Sequence, residues 1–588
     1  MTLVFGEELF AICALIFCAP IATHIGAAIA AQKHDPGKDG LFMFGLRYLM
    51  SALSTQIALV ILPWAATGCI PLHAASFPQP VQIDTGALTG IQSIQFPNVT
   101  RFEGIPFAAP PVGDLRWKPP IPPRKWKGVL KADHLSPVCA QVSRTMLMFP
   151  FITKEFFPDL AVGMSEDCLY LNVWTPAKSA ADKLPVIVWI HGGAFQEGST
   201  SVPSNNGQGL AAKGVVVVAI NYRLGILGFL ASPELDMESP HRVSGNYGFL
   251  DQIEALKWVH RNIASFGGDP DRVTIAGQSS GAGSVNFLTI SPLAKGLFQR
   301  GIAQSGTRYM RDPGPTGNNP MTYKTLRDAE ADDAAYLDKC GVDVAKLRKM
   351  SMEEINKLPF PPFPPAFFGP NVDGWVLPAG YDETYSRGAQ NDVPIIAGGT
   401  ADEGGANPGT KTTVPEYRQW AKDKFGDMAE EFLKLYPAGT DNEATKQRLI
   451  VARDWQRSSI YLWAHSWQGK SRNKTFIYQW NHVYPGPNQE ANGAFHGSDI
   501  PYVLNSLWTV PERPFKDDDR SVANMMASYW ANFAATGDPN GKGLAEWPAF
   551  SPDSRVAMQL GDKTGVIPVA TDSRFEFFKR FFDTHLAK

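Results

Sequence analysis

Apolar and polar positions along the chain follow two alternating rhythms. Pro185-Val186-Ile187-Val188-Trp189-Ile190 and Gly214-Val215-Val216-Val217-Val218-Ala219-Ile220 are short unbroken apolar runs rich in β-branched residues. Such runs predict strands covered on both faces, as in a mostly parallel sheet. Between Asp251 and Phe266, the residues Ile253, Leu256, Val259 and Ile263 recur at helical spacing and predict an amphipathic helix. Gly267-Gly268-Asp269-Pro270 is expected to stop it, and Val273-Thr274-Ile275-Ala276 to form the next strand. Near the C-terminus Val522, Met525, Met526, Tyr529, Trp530 and Phe533 share one helical face, which Gly537 ends. From about Gln79 onward this alternation predicts an α/β fold: a large, mostly parallel central sheet with helices on both faces. No repeat, charge run or low-complexity stretch marks an interior boundary, so residues 76–588 are expected to form a single domain.

The first 75 residues have a different texture. Leu9 to Ala31 carry no Asp, Glu, Lys or Arg, and a polar break follows from Lys33 to Gly40. Met43, Arg47, the apolar run Ile57-Ala58-Leu59-Val60-Ile61-Leu62 and the small residues up to Ala75 read as a complete secretory signal, with translation starting at Met43. The alternative is a membrane anchor over residues 9–31, long enough for the roughly 20 residues a span needs. Ala66-Thr67-Gly68-Cys69 loosely resembles a lipoprotein box, so membrane contact is expected only through such an anchor or a lipidated Cys69. A secreted or periplasmic protein is the expectation. Cysteine usage agrees: outside the leader stand Cys139, Cys168 and Cys340, which allow one disulfide and one free thiol. No pair or cluster has zinc spacing, so no metal is expected. A formal net charge of −3 gives no global reason to expect nucleic acid. Asn98-Val99-Thr100 and Asn473-Lys474-Thr475 are glycosylation sequons that matter only in a eukaryotic secretory host.

Candidate chemistry sits at the strand ends. The strand ending at Ala276 runs into Gly277-Gln278-Ser279-Ser280-Gly281, a GxSxG whose glycines permit the sharp turn that lifts a serine hydroxyl above a sheet edge. His191-Gly192-Gly193-Ala194-Phe195 directly follows the strand 185–190, and small residues there let backbone N–H groups converge on a developing oxyanion. The donors expected are Gly193 and Ala194, with Ser280 as the third. Ser305, in Gln304-Ser305-Gly306, lacks the preceding glycine and is read as the end of a buried strand.

Taken with Phe102-Glu103-Gly104-Ile105-Pro106-Phe107-Ala108, Ser165-Glu166-Asp167-Cys168-Leu169-Tyr170-Leu171-Asn172, Gly245-Asn246-Tyr247-Gly248, the stretch Phe298 to Gly306 and Thr536-Gly537-Asp538-Pro539-Asn540, these motifs resemble the type-B carboxylesterase and cholinesterase family of α/β-hydrolases. The resemblance runs in family order from about residue 85 to 550. It implies a serine esterase that needs no cofactor, with Ser279 as nucleophile. It assigns the acid to Glu403, in Thr400-Ala401-Asp402-Glu403-Gly404, and the base to His496, in Phe495-His496-Gly497-Ser498-Asp499. It further implies a Cys139–Cys168 disulfide and an Arg116–Glu166 ion pair. His191 and His482 are read as structural.

Two departures bear on substrate. Most members of the family carry Glu where this chain has Gln278, and the segment between Cys139 and Cys168 contains no Trp, the residue with which cholinesterases bind a cation. Both argue against choline esters and for neutral aromatic or medium-chain esters. Phe195, Phe229 and the stretch Phe360-Pro361-Pro362-Phe363-Pro364-Pro365-Ala366-Phe367-Phe368 are read either as an apolar pocket lining or as packing. A specialised esterase or amidase for a larger natural product is the alternative. A non-catalytic binding or adhesion relative is a third class, which the intact Ser279, Glu403 and His496 oppose.

Overall fold

A computed structural model describes residues 77–141, 162–313, 323–359, 368–406 and 411–585. The leader 1–75, including Cys69, and residues 360–367 of the Phe/Pro stretch lie outside the described residues. One sheet of eleven strands dominates. In chain order these are β1 (Ile91–Gln92), β2 (Thr100–Pro106), β3 (Tyr170–Thr175), β4 (Leu184–Ile190), β5 (Val216–Ile220), β6 (Gly268–Gln278), β7 (Arg300–Gln304), β8 (Ile395–Thr400), β9 (Thr475–Asn481), β10 (Val556–Gly561) and β11 (Gly565–Pro568). Their order across the sheet is β11-β10-β9-β8-β7-β6-β4-β5-β3-β2-β1. Every pairing from β10 to β5 is parallel, and the strands at the two margins pair antiparallel.

Side-chain alternation along β4 shows how the sheet divides the core. Val186, Val188 and Ile190 join one buried cluster, while Ile187 and Trp189 join another. Each face needs its own helices. On the first lie α1 (Tyr247–Asn262), through Ile253, Leu256 and Val259, and α3 (Asp441–Gln468), through Trp455 and Trp463. On the second lies α4 (Asp517–Thr536), through Met526, Tyr529, Trp530 and Phe533, capped by Gly537 in the left-handed conformation. Between α1 and α3 in sequence, α2 (Ser280–Ile290) leaves the end of β6 and is buried along its length.

One boundary differs from the sequence expectation. Gly267 ends the helical segment with φ 79°, but Gly268 already pairs with Leu184, and β6 continues through an irregularity before regular pairing resumes at Val273. The stop signal is real. It is also narrower than four residues, because Gly267 caps the helix and the next residue, Gly268, already starts the strand. Among the described residues, no helix is long and apolar enough to cross a membrane.

Candidate active site

The parallel strands bring their C-terminal ends to one sheet edge, and the sequence-predicted loops all leave from there. Ser279 follows β6 with φ 58° and ψ −125°, a conformation costly for any residue with a side chain. The turn is held from both sides. A Cβ on Gly281 would lie 2.1 Å from the Ile190 carbonyl oxygen, and one on Gly277 would lie 2.5 Å from the Gly281 carbonyl carbon. Only glycine fits at either place. Ser279 is also the N-cap of α2, so its hydroxyl stands at the positive end of a helix dipole.

The loop after β4 packs against this turn. A Cβ on Gly192 would come 3.0 Å from the Cβ of Ser279. Gly193 has φ 114°, Ala194 φ 56° and Phe195 φ 60°. The Gly193 carbonyl closes the turn by accepting from the N–H groups of Gln196 at 2.9 Å and Glu197 at 3.0 Å. His191 holds the loop rather than reacting. Its Nδ1 lies 2.8 Å from the Gly192 carbonyl, its ring stacks on Tyr222, and burial pushes its pKa down to about 4. Gln141 buttresses the far side, accepting from the Gly198 N–H at 2.8 Å and donating to its carbonyl at 3.0 Å. Gln141 in turn hangs from Cys139, which is disulfide-bonded to Cys168. Cys340 is free.

Glu403 and His496 meet directly: the imidazole Nδ1–H donates to Oε2 of the carboxylate. The other oxygen, Oε1, accepts from the Thr400 N–H at 2.9 Å and the Gln456 amide at 2.8 Å. Burial works against the Glu403 charge, but the charge and hydrogen bond of the His496 ring, helped by the Thr400 N–H, outweigh it and hold its pKa below the usual carboxylate value. For His496, burial again opposes charge, and the Glu403 carboxylate overcomes it, so the pKa stands above that of free imidazole. The opposite ring nitrogen, Nε2, faces the elbow, 3.2 Å from the side-chain amide of Gln278, the residue before Ser279.

Sequence reading passed over what joins these loops. Asp402, neighbour of Glu403, is buried; it accepts from Arg453 at 3.0 and 2.6 Å and from the Ala494 N–H at 3.0 Å. Its own N–H donates back to the Ala494 carbonyl at 3.0 Å. The acid loop and the base loop are thus stapled two residues from the imidazole. Asp499, three residues after His496, is fully buried and accepts from the Gln304 amide at 2.8 Å and the Tyr478 hydroxyl at 3.1 Å; burial lifts its pKa to about 6. The buried pair of Arg223 and Asp251 was equally invisible. Each unites positions far apart in the chain, so no local pattern marks it.

Other expected residues fall as follows. Arg116 grips Glu166 with two N–H groups and also donates to the carbonyls of Leu347 at 2.6 Å and Met350 at 3.0 Å. Ser305 follows β7, its N–H donating to Gly398 at 2.7 Å. His482 is buried between Asp519 at 2.8 Å and Asp562 at 2.5 Å. Phe195 and Phe229 are 2% and 1% exposed and pack on each other and on Phe249, so they belong to the core. Among the described residues, no group of His, Cys, Asp or Glu is arranged to hold a metal.

The family model described as "Carboxylesterase family" matches residues 78–578. The chain is similar to the fumonisin B1 esterase of Sphingopyxis macrogoltabida, at 37% identity over 82% of this chain and 86% of that one. It is similar to the para-nitrobenzyl esterase of Bacillus subtilis (strain 168), at 32% identity over 82% and 95% of the two chains. A solved thermophilic PNB esterase superposes with a TM-score of 0.68 at 30% identity, covering 85% of this chain and 99% of that one.

Proposed function

The chain belongs to the carboxylesterase family, and on that premise we propose that Ser279 is the acylated nucleophile, His496 its base and Glu403 the carboxylate that orients the base. The protein is a carboxylic-ester hydrolase. His496 Nε2 takes the Ser279 proton as the oxygen attacks the ester carbonyl, and the N–H groups of Gly193, Ala194 and Ser280 hold the tetrahedral oxyanion. The imidazolium then protonates the departing alcohol. Water, activated by the same nitrogen, releases the acid and restores Ser279. Glu403 stays ionised throughout and stabilises the charged ring. These steps call on nothing beyond the chain, the ester and water.

The observation that carries the reading is the pairing of Nδ1 with Glu403, which leaves Nε2 as the lone pair facing the elbow. Ester turnover in Ser279→Ala falls by several orders of magnitude with the fold intact; retained turnover contradicts the assignment.

Neutral aromatic or medium-chain esters are the substrates proposed. The neutral Gln278 beside the base supports this, as does the relative named for a para-nitrobenzyl ester. The relative named for fumonisin B1 favours a second reading, an esterase specialised for a larger natural product. A series of para-nitrophenyl acetate, butyrate, octanoate and palmitate separates them: a clear optimum supports the first, uniformly poor turnover the second. Export is proposed from the leader and agrees with the disulfide. N-terminal sequencing of exported protein tests it, and residue 9 found intact in cytosolic material refutes it.

A further inference from the structure

We propose that Gln278 is a positioning residue for the base: its side-chain amide donates to Nε2 of His496 and holds the ring in the neutral, Nδ1-protonated form that receives the Ser279 proton. The inference rests on His496 being that base.

Gln278 is 4% exposed and ends β6 in register with Gln304, so its backbone is fixed by the sheet. Its amide nitrogen lies 3.2 Å from Nε2. Because Glu403 accepts the Nδ1 proton, the neutral ring presents a lone pair at Nε2. An amide NH2 group has only protons to offer there, so the contact is favourable with the neutral ring alone. Once Nε2 is protonated, two donors face each other, and the amide has to let go or turn its oxygen inward. Gln278 therefore favours the resting base over the imidazolium. A carboxylate in the same place does the reverse, accepting from the charged ring and stabilising it.

The ionisable groups acting on the ring are Glu403, from the loop after β8, and Asp499, from the ring's own loop. Both favour the charged form against burial. The elbow contributes a neutral amide instead of a third acid, which limits how far the base is driven toward permanent protonation. A group near neutrality transfers protons best when its pKa lies close to the working pH.

The test is kcat/KM against pH with para-nitrophenyl butyrate for the wild type, Gln278→Glu and Gln278→Met, with Ser279→Ala alongside. In Gln278→Glu the acid limb moves up by about one pH unit, a roughly tenfold loss below the limb, while the alkaline plateau falls far less and KM is unchanged. In Gln278→Met, which keeps bulk without the donor, the limb moves the same way by less and kcat on the alkaline plateau does not fall. Limbs that coincide with the wild type in both variants overturn the proposal. If Gln278→Glu does not fold by circular dichroism, Gln278→Met decides alone, and an unchanged limb overturns it. An active Ser279→Ala sinks the triad itself, whereas an inactive one with unmoved limbs sinks only the role of Gln278.

Discussion

Asp402→Ala should damage catalysis without touching any reacting atom. The side chain is removed from a buried position where it accepts from Arg453 and from the Ala494 N–H. Ala494 is fully buried, so its N–H loses its side-chain partner and finds no water. A buried donor left unsatisfied costs about 1–3 kcal/mol, and a hydrogen bond to a charged group contributes about 1.5–3 kcal/mol. Arg453 is 35% exposed, and water recovers much of its loss. A total near 2–4 kcal/mol is therefore expected. Part of it falls on global stability and part on the local equilibrium between stapled and separated loops. With about 2 kcal/mol falling on the local equilibrium, the ratio of stapled to separated loops drops about thirtyfold; from a ratio near one, the fraction with His496 paired to Glu403 drops about fifteenfold, and kcat follows. Urea denaturation gives the stability loss, and steady-state kinetics on para-nitrophenyl butyrate at the alkaline plateau gives kcat and KM. A variant that loses the stability but keeps wild-type kcat refutes the staple as a positioning device. Unchanged stability refutes the energetic reasoning as well.

Three further outcomes follow from the same geometry. Glu403→Gln lowers kcat by about three to four orders of magnitude, on the scale of the acid member of serine triads. Because that carboxylate holds the His496 pKa above the ordinary imidazole value while burial pulls it down, the residual activity has its acid limb at lower pH than the wild type. An unmoved limb contradicts the coupling. Cys168→Ser opens the Cys139–Cys168 loop and costs roughly 3 kcal/mol by chain entropy, read in urea melts with and without reductant; equal wild-type melts in both conditions contradict it.

What the sequence revealed and what it withheld divide by distance along the chain. The runs at 185–190 and 216–220 are legible as strands because both faces are covered, and every residue must then be apolar. The elbow is legible because its glycines are demanded by atoms within the same turn and the next strand. The approach of Glu403 to His496, 93 residues apart, came from resemblance alone. Asp402 was passed over beside Glu403 because its partners Arg453 and Ala494 lie 51 and 92 residues away. Phe195 shows a choice the sequence leaves open: an aromatic in the oxyanion loop reads equally as pocket lining or as packing, and its ring turns into the core against Phe229 and Phe249. Nothing in the local pattern says which side of the loop it takes.

The central claim is that one serine, deprotonated by a base that a carboxylate holds from behind, takes the acyl group of the ester. Reaction with a fluorophosphonate followed by peptide mapping tests it most directly. The account predicts stoichiometric labelling of Ser279 in the wild type and loss of labelling in His496→Ala. A label on any other residue, Ser305 included, or undiminished labelling without the imidazole, contradicts it.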